Sequence, residues 1–348
     1  MPVSTIPGVS IVIPCHNGAA RLPVTLEHLA AQKVSEGTRW EVILVDNAST
    51  DDTAAVAARC WPVNHRVSLR VAHEPRLGSR YARERGLAEA QFEIVSFVDD
   101  DNWVCEDWVQ VLTEVIHAHP EVGLCGGVSE DVYEVPPPPW WVRRFTASMV
   151  GTDPASIGDV TNTTGLVQGA GMSARVSAYR GLRENGFTHL SAGRVGADTS
   201  GAEDYETCFA MRLAGWRLWV EPRLTMKHFI SRGRLNWEYV RALQRGSAIS
   251  RLTIEPYEDV INAKSIDSPR ASWKTKIVAL AGAIARTALH HPIKAASVAL
   301  FARCPEADFD CLRIEGYLAR WQALLAARHS YDDTVAAIAH APWRRVFA

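Results

Sequence analysis

The sequence predicts an α/β protein with a doubly wound, mostly parallel sheet and an appended C-terminal helical region. Short β-branched runs alternate with helical patterns through the first part of the chain. Polar residues stand directly after the predicted strands, and beyond about residue 237 the pattern is helical throughout. We therefore expect a first domain over residues 1–235 and a helical region over residues 236–348.

Four apolar runs predict the strands of this sheet. The runs at residues 9–13 and 42–45 are rich in Val and Ile, as in strands buried on both faces, and a helical pattern follows each. The runs at residues 67–72 and 94–98 repeat the arrangement, with a helix predicted near residues 80–90 between them. Alternation of this kind is typical of parallel strands that are connected by helices.

The composition argues against several classes of protein. The 348 residues carry a formal net charge of -2, which gives no support for nucleic-acid binding. Seven dispersed cysteines without a CxxC pair favour a reducing compartment. The amino terminus lacks a secretory pattern, and the longest apolar run, residues 277–285, is far shorter than the ~20 residues of a spanning helix. We expect a cytoplasmic protein.

The residues after the strands are unusually polar, and ligands of parallel α/β sheets bind at that edge. Pro14 and Asn17 follow the first strand, and Asp46 follows the second. An acidic triplet at residues 99–101 follows the fourth. Carboxylates this close repel one another unless a cation or hydrogen-bonding ligand lies between them, and oxygen ligands suit magnesium or manganese at a diphosphate. The alternative is an acidic turn that caps the next helix.

Five short motifs occur in order along the first two thirds of the chain. They are Val-Ile-Pro-Cys-His-Asn at residues 12–17, Val-Asp-Asn-Ala-Ser-Thr-Asp at 45–51, Gly-Ser-Arg-Tyr-Ala-Arg at 78–83, Phe-Val-Asp-Asp-Asp at 97–101 and Gly-Ala-Glu-Asp at 201–204. Over about residues 9–230 the chain thereby resembles the inverting family 2 glycosyltransferases of the GT-A fold. The resemblance implies metal-dependent transfer of a sugar from a nucleotide-sugar donor to a hydroxyl of a glycan or lipid-linked acceptor, as in polysaccharide biosynthesis.

The resemblance also implies where the donor binds. Asp46 would receive the nucleoside base, and its alternative role is to hold its own turn. Either Asp99 or Asp100 would meet the ribose. Arg80 or Arg83 would meet the diphosphate, unless these arginines only line a solvated helix face. The full implied set of donor-binding residues is Pro14, Asn17, Asp46, Arg80, Arg83, Asp99 and Asp100.

Four further residues receive roles at the metal and in catalysis. The resemblance implies Asp101 as a metal ligand and His228 as a further ligand, although a histidine at the end of an apolar strand is also a common structural residue. It points to Asp204 as the catalytic base, with Glu203 contacting the acceptor or supporting the loop. A helix N-terminus favours the ionised carboxylate. The alternative for both acids is capping of first-turn amides.

Two segments are candidates for the acceptor side. Residues 168–172 resemble the segment that lines the acceptor in the family, with Gly171 giving clearance, or else they form a tight turn. The proline-rich residues 136–139 precede Trp140 and predict a loop or lid. Trp140 would stack on a sugar ring, although most tryptophans simply pack.

Two rival functions belong to other classes. A nucleotidyltransferase also needs acidic metal ligands, but residues 14–21 contain only Gly18 and form no glycine-rich phosphate loop. A dinucleotide oxidoreductase fails for the same reason. A non-catalytic protein that binds nucleotide sugars or glycans is the second rival, and the intact acidic motifs speak against it.

The helical region combines basic and apolar residues near its centre, which suggests peripheral contact with the inner face of the cell membrane. The alternative is packing onto the catalytic unit. The residues that suggest the contact are Trp273, Lys274, Lys276, Ile277, Leu280 and Ile284.

Overall fold

The computed structural model divides the chain into two compact units. The first comprises Met1–Thr188, Thr207–Arg232 and Trp343–Ala348, and the second comprises His189–Glu206 and Gly233–Pro342. Within the described residues, no helix is long and apolar enough to cross a membrane. The structure describes residues 6–145, 156–191, 193, 200–263 and 272–345.

The first unit is built on a sheet that has nine strands within the described residues. The strands are Ile6–Cys15 (β1), Trp40–Asn47 (β2), Leu69–Glu74 (β3), Phe92–Phe97 (β4), Asn102–Val104 (β5), Val122–Tyr133 (β6), Gly158–Asp159 (β7), Ser173–Arg175 (β8) and Arg217–Ile230 (β9). Their order is β3-β2-β1-β4-β8-β6-β9-β5, and β7 pairs with β9.

Helices of the first unit follow the strands as the sequence predicts. The helices are Leu22–Ala30 (α1), Thr53–Cys60 (α2), Ser79–Glu89 (α3), Trp108–Ala118 (α4), Val176–Glu184 (α5) and Glu203–Leu213 (α6), with a short 3₁₀ turn at Val142–Arg144. The first four residues of α6 belong to the second unit and the rest to the first.

The parallel half of the sheet consists of β3, β2, β1 and β4. Strands β1, β2 and β4 are mostly buried, whereas the edge strand β3 is more exposed. Val9 pairs with Trp40 on one side and with Ile94 on the other, and Val9 and Ile94 are fully buried. Burial on both sides is what a parallel sheet covered by helices requires. The predicted α/β class is therefore confirmed.

Beyond β4 the sheet becomes mixed, which the sequence did not predict. Strands β5, β7 and β8 all pair antiparallel, and each has only two or three residues. Segments this short carry no detectable hydrophobic period, so only their pairing partners define them as strands.

The second unit is helical within its described residues, as the sequence predicts. Its helices are Trp237–Ile261 (α7), Trp273–His290 (α8), Pro292–Phe301 (α9), Phe309–Ala326 (α10) and Tyr331–Ala339 (α11). The 3₁₀ turns Arg232–Arg234 and Pro342–Arg345 contain residues of both units. Pro292 occupies the first position of α9, where its missing N–H costs nothing.

One face of α8 packs within this unit. Leu280 is 4% exposed, and the indole N–H of Trp273 donates to the Leu324 carbonyl at 2.6 Å. The Lys276 ammonium lies 2.7 Å from an Asp259 carboxylate oxygen. Three residues that suggested a membrane contact are therefore engaged inside the protein.

Helix α3 approaches β1 closely at Gly86. An added Cβ at Gly86 would stand 2.2 Å from Cγ1 of Val12, a β-branched side chain with little rotamer freedom. By contrast, a Cβ added to Gly282 on α8 would meet nothing nearer than 3.5 Å.

We expect Gly86→Ala to lower the thermal unfolding midpoint, because overpacking a tight contact costs about 1–3 kcal/mol. The matched control Gly282→Ala should raise the midpoint, since alanine in an open helical position gains about 0.5–1 kcal/mol. Circular dichroism melting curves measure both. A Gly86→Ala protein that melts at or above the wild-type temperature would contradict the close packing of α3 on β1.

Candidate active site

Asp101 and His228 meet at the edge of the sheet because β5 pairs with β9. Asn102 lies opposite His228 in this antiparallel pair, and the Phe229 N–H donates to the Asp101 carbonyl at 2.9 Å. The two side chains are buried, and Asp101 Oδ1 lies 3.6 Å from His228 Nε2. This distance is longer than a hydrogen bond, so this carboxylate oxygen and this ring nitrogen lie side by side.

The Asp101 carboxylate and the His228 imidazole together fit a divalent cation to which a substrate also binds. A carboxylate and an imidazole suit manganese, and magnesium commonly takes one or two carboxylates together with phosphate oxygens and water. Within the described residues, no group of three or more His, Cys, Asp or Glu side chains could hold a metal ion. Asp101 and His228 could supply two ligands to such a cation.

The other two acids of the triplet differ in their surroundings. Asp100 is buried, accepts from Arg21 Nη2 at 2.7 Å and lies 3.1 Å from the Cys15 thiol, which donates to it. Burial, reinforced by the charge of Asp101, raises the pKa of Asp100, while Arg21 opposes this shift. Asp99 retains 31% side-chain exposure. Of these two carboxylates, that of Asp99 is therefore the more exposed to solvent.

Gly18 is required by this arrangement. A Cβ at Gly18 would stand 2.1 Å from Asp100 Oδ2 and 2.2 Å from the Cys15 sulfur. The glycine therefore lets the loop after β1 close over the buried Asp100 carboxylate, and it serves packing rather than a phosphate loop.

The loops after β1 and β2 are joined by hydrogen bonds through Asn17. Its N–H donates to Ser49 Oγ at 3.0 Å, and its Oδ1 accepts from the Thr50 N–H at 2.8 Å. Asn17 has a φ of 50°, a conformation that asparagine tolerates better than most residues. Pro14 lies half-buried in β1, opposite Val45 in the register of β1 and β2.

Asp46 holds its own turn, which is the alternative role that the sequence left open. Its Oδ1 accepts from the Ser49 N–H at 3.2 Å, which holds the turn, while its Oδ2 lies 3.2 Å from Nδ1 of the exposed His73. The Asp46 side chain is 14% exposed, so part of the carboxylate remains open at the strand ends.

The two candidate arginines on α3 lie in different surroundings. Arg80 forms an ion pair with Glu84 at 3.0 Å, one turn along the helix. Arg83 donates to the Gly169 carbonyl at 3.2 Å, and its Nη2 lies 3.7 Å from Asp99 Oδ1. The structure therefore brings Arg83 and Asp99 together beside the segment at residues 168–172.

Sequence reasoning missed Asn47, which positions the start of α3. Its amide nitrogen donates to the carbonyls of Glu74 and Arg76 at 3.1 and 2.7 Å, and its Oδ1 accepts from the Gly78 N–H at 2.8 Å. Asn47 is buried. An asparagine directly after a buried strand was the available signal, because such a residue satisfies loop amides and carbonyls.

Gly171 and Trp140, the two candidates for the acceptor side, lie in different surroundings. Gly171 has a φ of 72°, donates its N–H to the Phe97 carbonyl at 3.0 Å, and would place an added Cβ 3.0 Å from Trp108. Its clearance is thus needed for packing in a tight turn. Trp140 is 66% exposed, whereas the neighbouring Trp141 is buried. Trp140 is therefore the tryptophan of this pair that presents its ring to solvent.

Glu203 and Asp204 begin helix α6, in residues that belong to the second unit. Glu203 is buried, and Asp204 is half-buried. Asp204 Oδ1 accepts from the Tyr205 N–H at 2.9 Å, as expected for an acid that satisfies first-turn amides.

Glu206, which the sequence analysis missed, is fully buried in the second unit. Its carboxylate accepts from the N–H groups of Leu190 and Ser191 at 2.7 and 2.9 Å, and from the Tyr257 hydroxyl at 3.3 Å. Burial raises the pKa of Glu206 to about 7, although these hydrogen bonds oppose the shift. The signal available in the sequence was the position of this acidic residue on the apolar face of a helix, which indicates a buried carboxyl group.

Known structures with a similar backbone define the class of protein. Mannosyltransferase PcManGT from Pyrobaculum calidifontis, solved in complex with GDP-Man and Mn2+, aligns with a TM-score of 0.53 at 17% identity. The alignment covers 95% of this chain and 91% of that one. The fold is therefore that of the GT-A glycosyltransferases, as the resemblance implied.

Sequence comparisons relate the chain to known glycosyltransferases. Residues 10–173, a little under half of the chain, match the family model described as glycosyl transferase family 2. Glycosyltransferase AglE of Haloferax volcanii is 29% identical over 130 residues, 37% of this chain and 42% of that protein. Succinoglycan biosynthesis protein ExoM of Rhizobium meliloti is 26% identical over 77% of this chain and 79% of that protein. The chain thus spans less than half the length of AglE.

The buried Glu206 predicts a pH-dependent contribution to stability. Its pKa in the folded protein, about 7, lies above its ordinary value of 4.5, so the folded state keeps a proton that the unfolded state loses between these values. The stability from this group is therefore full below about pH 4.5 and is lost as the pH rises through about 7. The difference between these two pKa values corresponds to at most about 3 kcal/mol in the free energy of unfolding.

We expect the wild type to lose more thermal stability than Glu206→Gln between about pH 5 and about pH 8. Glu238→Gln, whose native side chain is 74% exposed, is the matched control and should follow the wild type. Melting midpoints across this range measure the difference. Parallel curves for the wild type and Glu206→Gln would show that Glu206 ionises normally in the fold.

Proposed function

We propose that the protein is an inverting glycosyltransferase that moves a sugar from a nucleotide-sugar donor to a hydroxyl of a glycan or lipid-linked acceptor. The observation that carries the proposal is the buried Asp101–His228 pair at the strand ends of a chain that matches the family 2 model. The complex of PcManGT with GDP-Man and Mn2+ supports a nucleotide-sugar donor and a divalent cation. The name of ExoM supports a role in polysaccharide biosynthesis.

In this proposal the donor lies along the strand ends of β1, β2 and β4. Asp46 receives the base with Oδ2, in place of its contact with the exposed His73, and Asp99 receives the ribose hydroxyls. Asp99 takes this role rather than Asp100, because Arg21 and Cys15 already use the Asp100 carboxylate. Pro14 and Asn17 shape the loop beneath the nucleotide.

Positive charge near the diphosphate comes from α3. Arg83 is the favoured arginine because it already lies beside Asp99, whereas Arg80 is paired with Glu84. Asp101 and His228 would hold magnesium or manganese, which supplies neutralisation of the negative charge that develops on the leaving diphosphate. His228 lies in β9 and Asp101 directly precedes β5, and both side chains are buried, so the structure orients them before the donor binds.

The transfer itself requires one nucleophilic displacement. The acceptor hydroxyl oxygen attacks the anomeric carbon from the face opposite the diphosphate, and the bond between that carbon and the diphosphate oxygen breaks. The nucleoside diphosphate leaves with the bonding electrons, and the configuration at carbon is inverted. Asp204 accepts the proton of the attacking hydroxyl. Its assignment rests on the Gly-Ala-Glu-Asp motif and on its place at a helix start, and Glu203 supports the loop or the acceptor.

The two rival functions predict other products. A nucleotidyltransferase would break a phosphoanhydride bond, and a non-catalytic binding protein would leave the donor intact. We expect slow hydrolysis of one nucleotide sugar from a panel of UDP and GDP donors, with release of nucleoside diphosphate and free sugar. Pyrophosphate release, or binding without turnover of any donor, would contradict the proposal.

The metal site is tested with the same hydrolysis assay. Asp101→Asn should lower the rate by about two to three orders of magnitude, the scale of losing one electrostatic stabiliser. His228→Ala should raise the manganese concentration needed for half-maximal rate while the melting midpoint stays near that of the wild type. Asp52→Asn, an exposed acid at the start of α2, is the matched control. Full turnover in excess chelator would refute the metal requirement.

The catalytic base is tested by a pair of isosteric variants. Asp204→Asn removes basicity and keeps shape, so transfer should fall by about two to four orders of magnitude. Donor binding, measured by calorimetry, should survive because the donor contacts lie on other elements. Glu203→Gln is the matched variant. If Asp204→Asn transfers sugar at nearly the wild-type rate while Glu203→Gln is inactive, Glu203 is the catalytic base and Asp204 has the supporting role.

A further inference from the structure

Helices α8 and α9 expose a series of large apolar side chains on the second unit. Within the described residues, nine large apolar side chains are more than half exposed, and five of them lie on these two helices. Such a concentration on two consecutive helices marks an interaction surface rather than scattered surface residues. The five are Val278, Leu289, Ile293, Leu300 and Phe301, and we call them the apolar stripe.

The helical period places these residues on one side of each helix. Val278 and Leu289 are eleven residues apart, about three turns, and therefore share a face of α8. Leu280, which packs inside the unit, lies on the opposite face. On α9, Ile293 and Leu300 are about two turns apart and likewise share a face. Leu289 and Ile293 flank the turn between the helices, so the stripe continues from one helix to the next.

The charged side chains that α8 and α9 themselves carry are all positive. From Trp273 to Phe301 the sequence contains four Lys or Arg residues and no Asp or Glu. Lys276 and Lys294 are paired with carboxylates of the same unit. Lys274 and Arg286 are exposed and form no ion pair among the described residues. The surface therefore offers apolar contact together with uncompensated positive charge.

The combination fits an anionic lipid surface. Amphipathic helices of this kind lie in the plane of the membrane, bury their apolar side chains at the headgroup boundary and gain further attraction from each nearby Lys or Arg. A second copy of the chain fits less well. A twofold contact through this face would bring equal positive charges together with no acids on these helices to balance them.

We propose that the outer face of α8 and α9 binds membranes that contain anionic phospholipids. This surface is distinct from the face of α8 that carries Trp273, Lys276 and Leu280. Binding does not depend on catalysis, and it would hold the enzyme close to a lipid-linked acceptor. Its failure would therefore leave the transferase proposal intact.

The test is flotation of the full chain with vesicles of phosphatidylcholine alone or mixed with phosphatidylglycerol, at low salt. We expect flotation only with the mixed vesicles. Replacing Leu289 and Ile293 together by Gln should reduce the bound fraction about tenfold or more, because both buried apolar side chains are lost. Val63→Gln is the matched control, since Val63 is 98% exposed in the first unit and should leave binding unchanged.

A second variant tests the charge. Arg286→Gln with Lys274→Gln should weaken binding to mixed vesicles about tenfold or more, since each cation near the surface contributes. Melting midpoints and donor hydrolysis without vesicles should match the wild type in every variant. Absence of flotation with mixed vesicles, or wild-type flotation of the Leu289 and Ile293 variant, overturns the proposal. A dimer in sedimentation that this variant dissolves, without vesicle binding, also overturns it.

Discussion

The pairing of β5 with β9 is the constraint on which the candidate site depends. β5 has only three residues, yet two backbone hydrogen bonds, Phe229 to Asp101 and Cys105 to Thr225, bracket it at 2.9 Å each. The Trp103 and Phe229 rings stack across the pair at 5.6 Å. A shift of one residue in β9 would turn His228 to the other side of the sheet, away from Asp101. The site thus depends on the register of a short strand, which its flanking bonds fix.

The neighbouring Asp100 explains how two adjacent acids are buried together. Burial of two carboxylates without partners would be strongly unfavourable. Arg21 compensates Asp100 from the start of α1, and Gly18 gives the loop enough space to close over it. Of the triplet, Asp101 is then the acid whose carboxylate faces another possible metal ligand, the imidazole nitrogen of His228. One acid of the triplet stabilises the fold, one remains open to solvent, and one stands beside His228.

The sequence predicted the parts of the fold that carry a local signal. Strands β1, β2 and β4 have apolar runs that are buried on both faces, and the helices between them have a clear period. The antiparallel β5, β7 and β8 are too short for a pattern and exist through partners far along the chain. The same holds for the site. The motif at residues 97–101 contains Asp101, and the family resemblance implied His228. Arg21 and Glu206 lie outside the five motifs, and the motif that contains Asn47 does not show its contacts to the loop before α3.

Helix α8 shows a further limit of sequence reasoning. Its residues are apolar nearly all round, so periodicity alone does not tell which face the protein covers. The structure covers the face with Leu280 and Trp273 and leaves Val278 and Leu289 outside. A helix that is apolar on two sides has two partners or exposes one side at a cost of about 1.5–3 kcal/mol for each large side chain. The charge beside the exposed side then decides between partners, because the exposed cations Lys274 and Arg286 attract a negative surface and repel a copy of themselves.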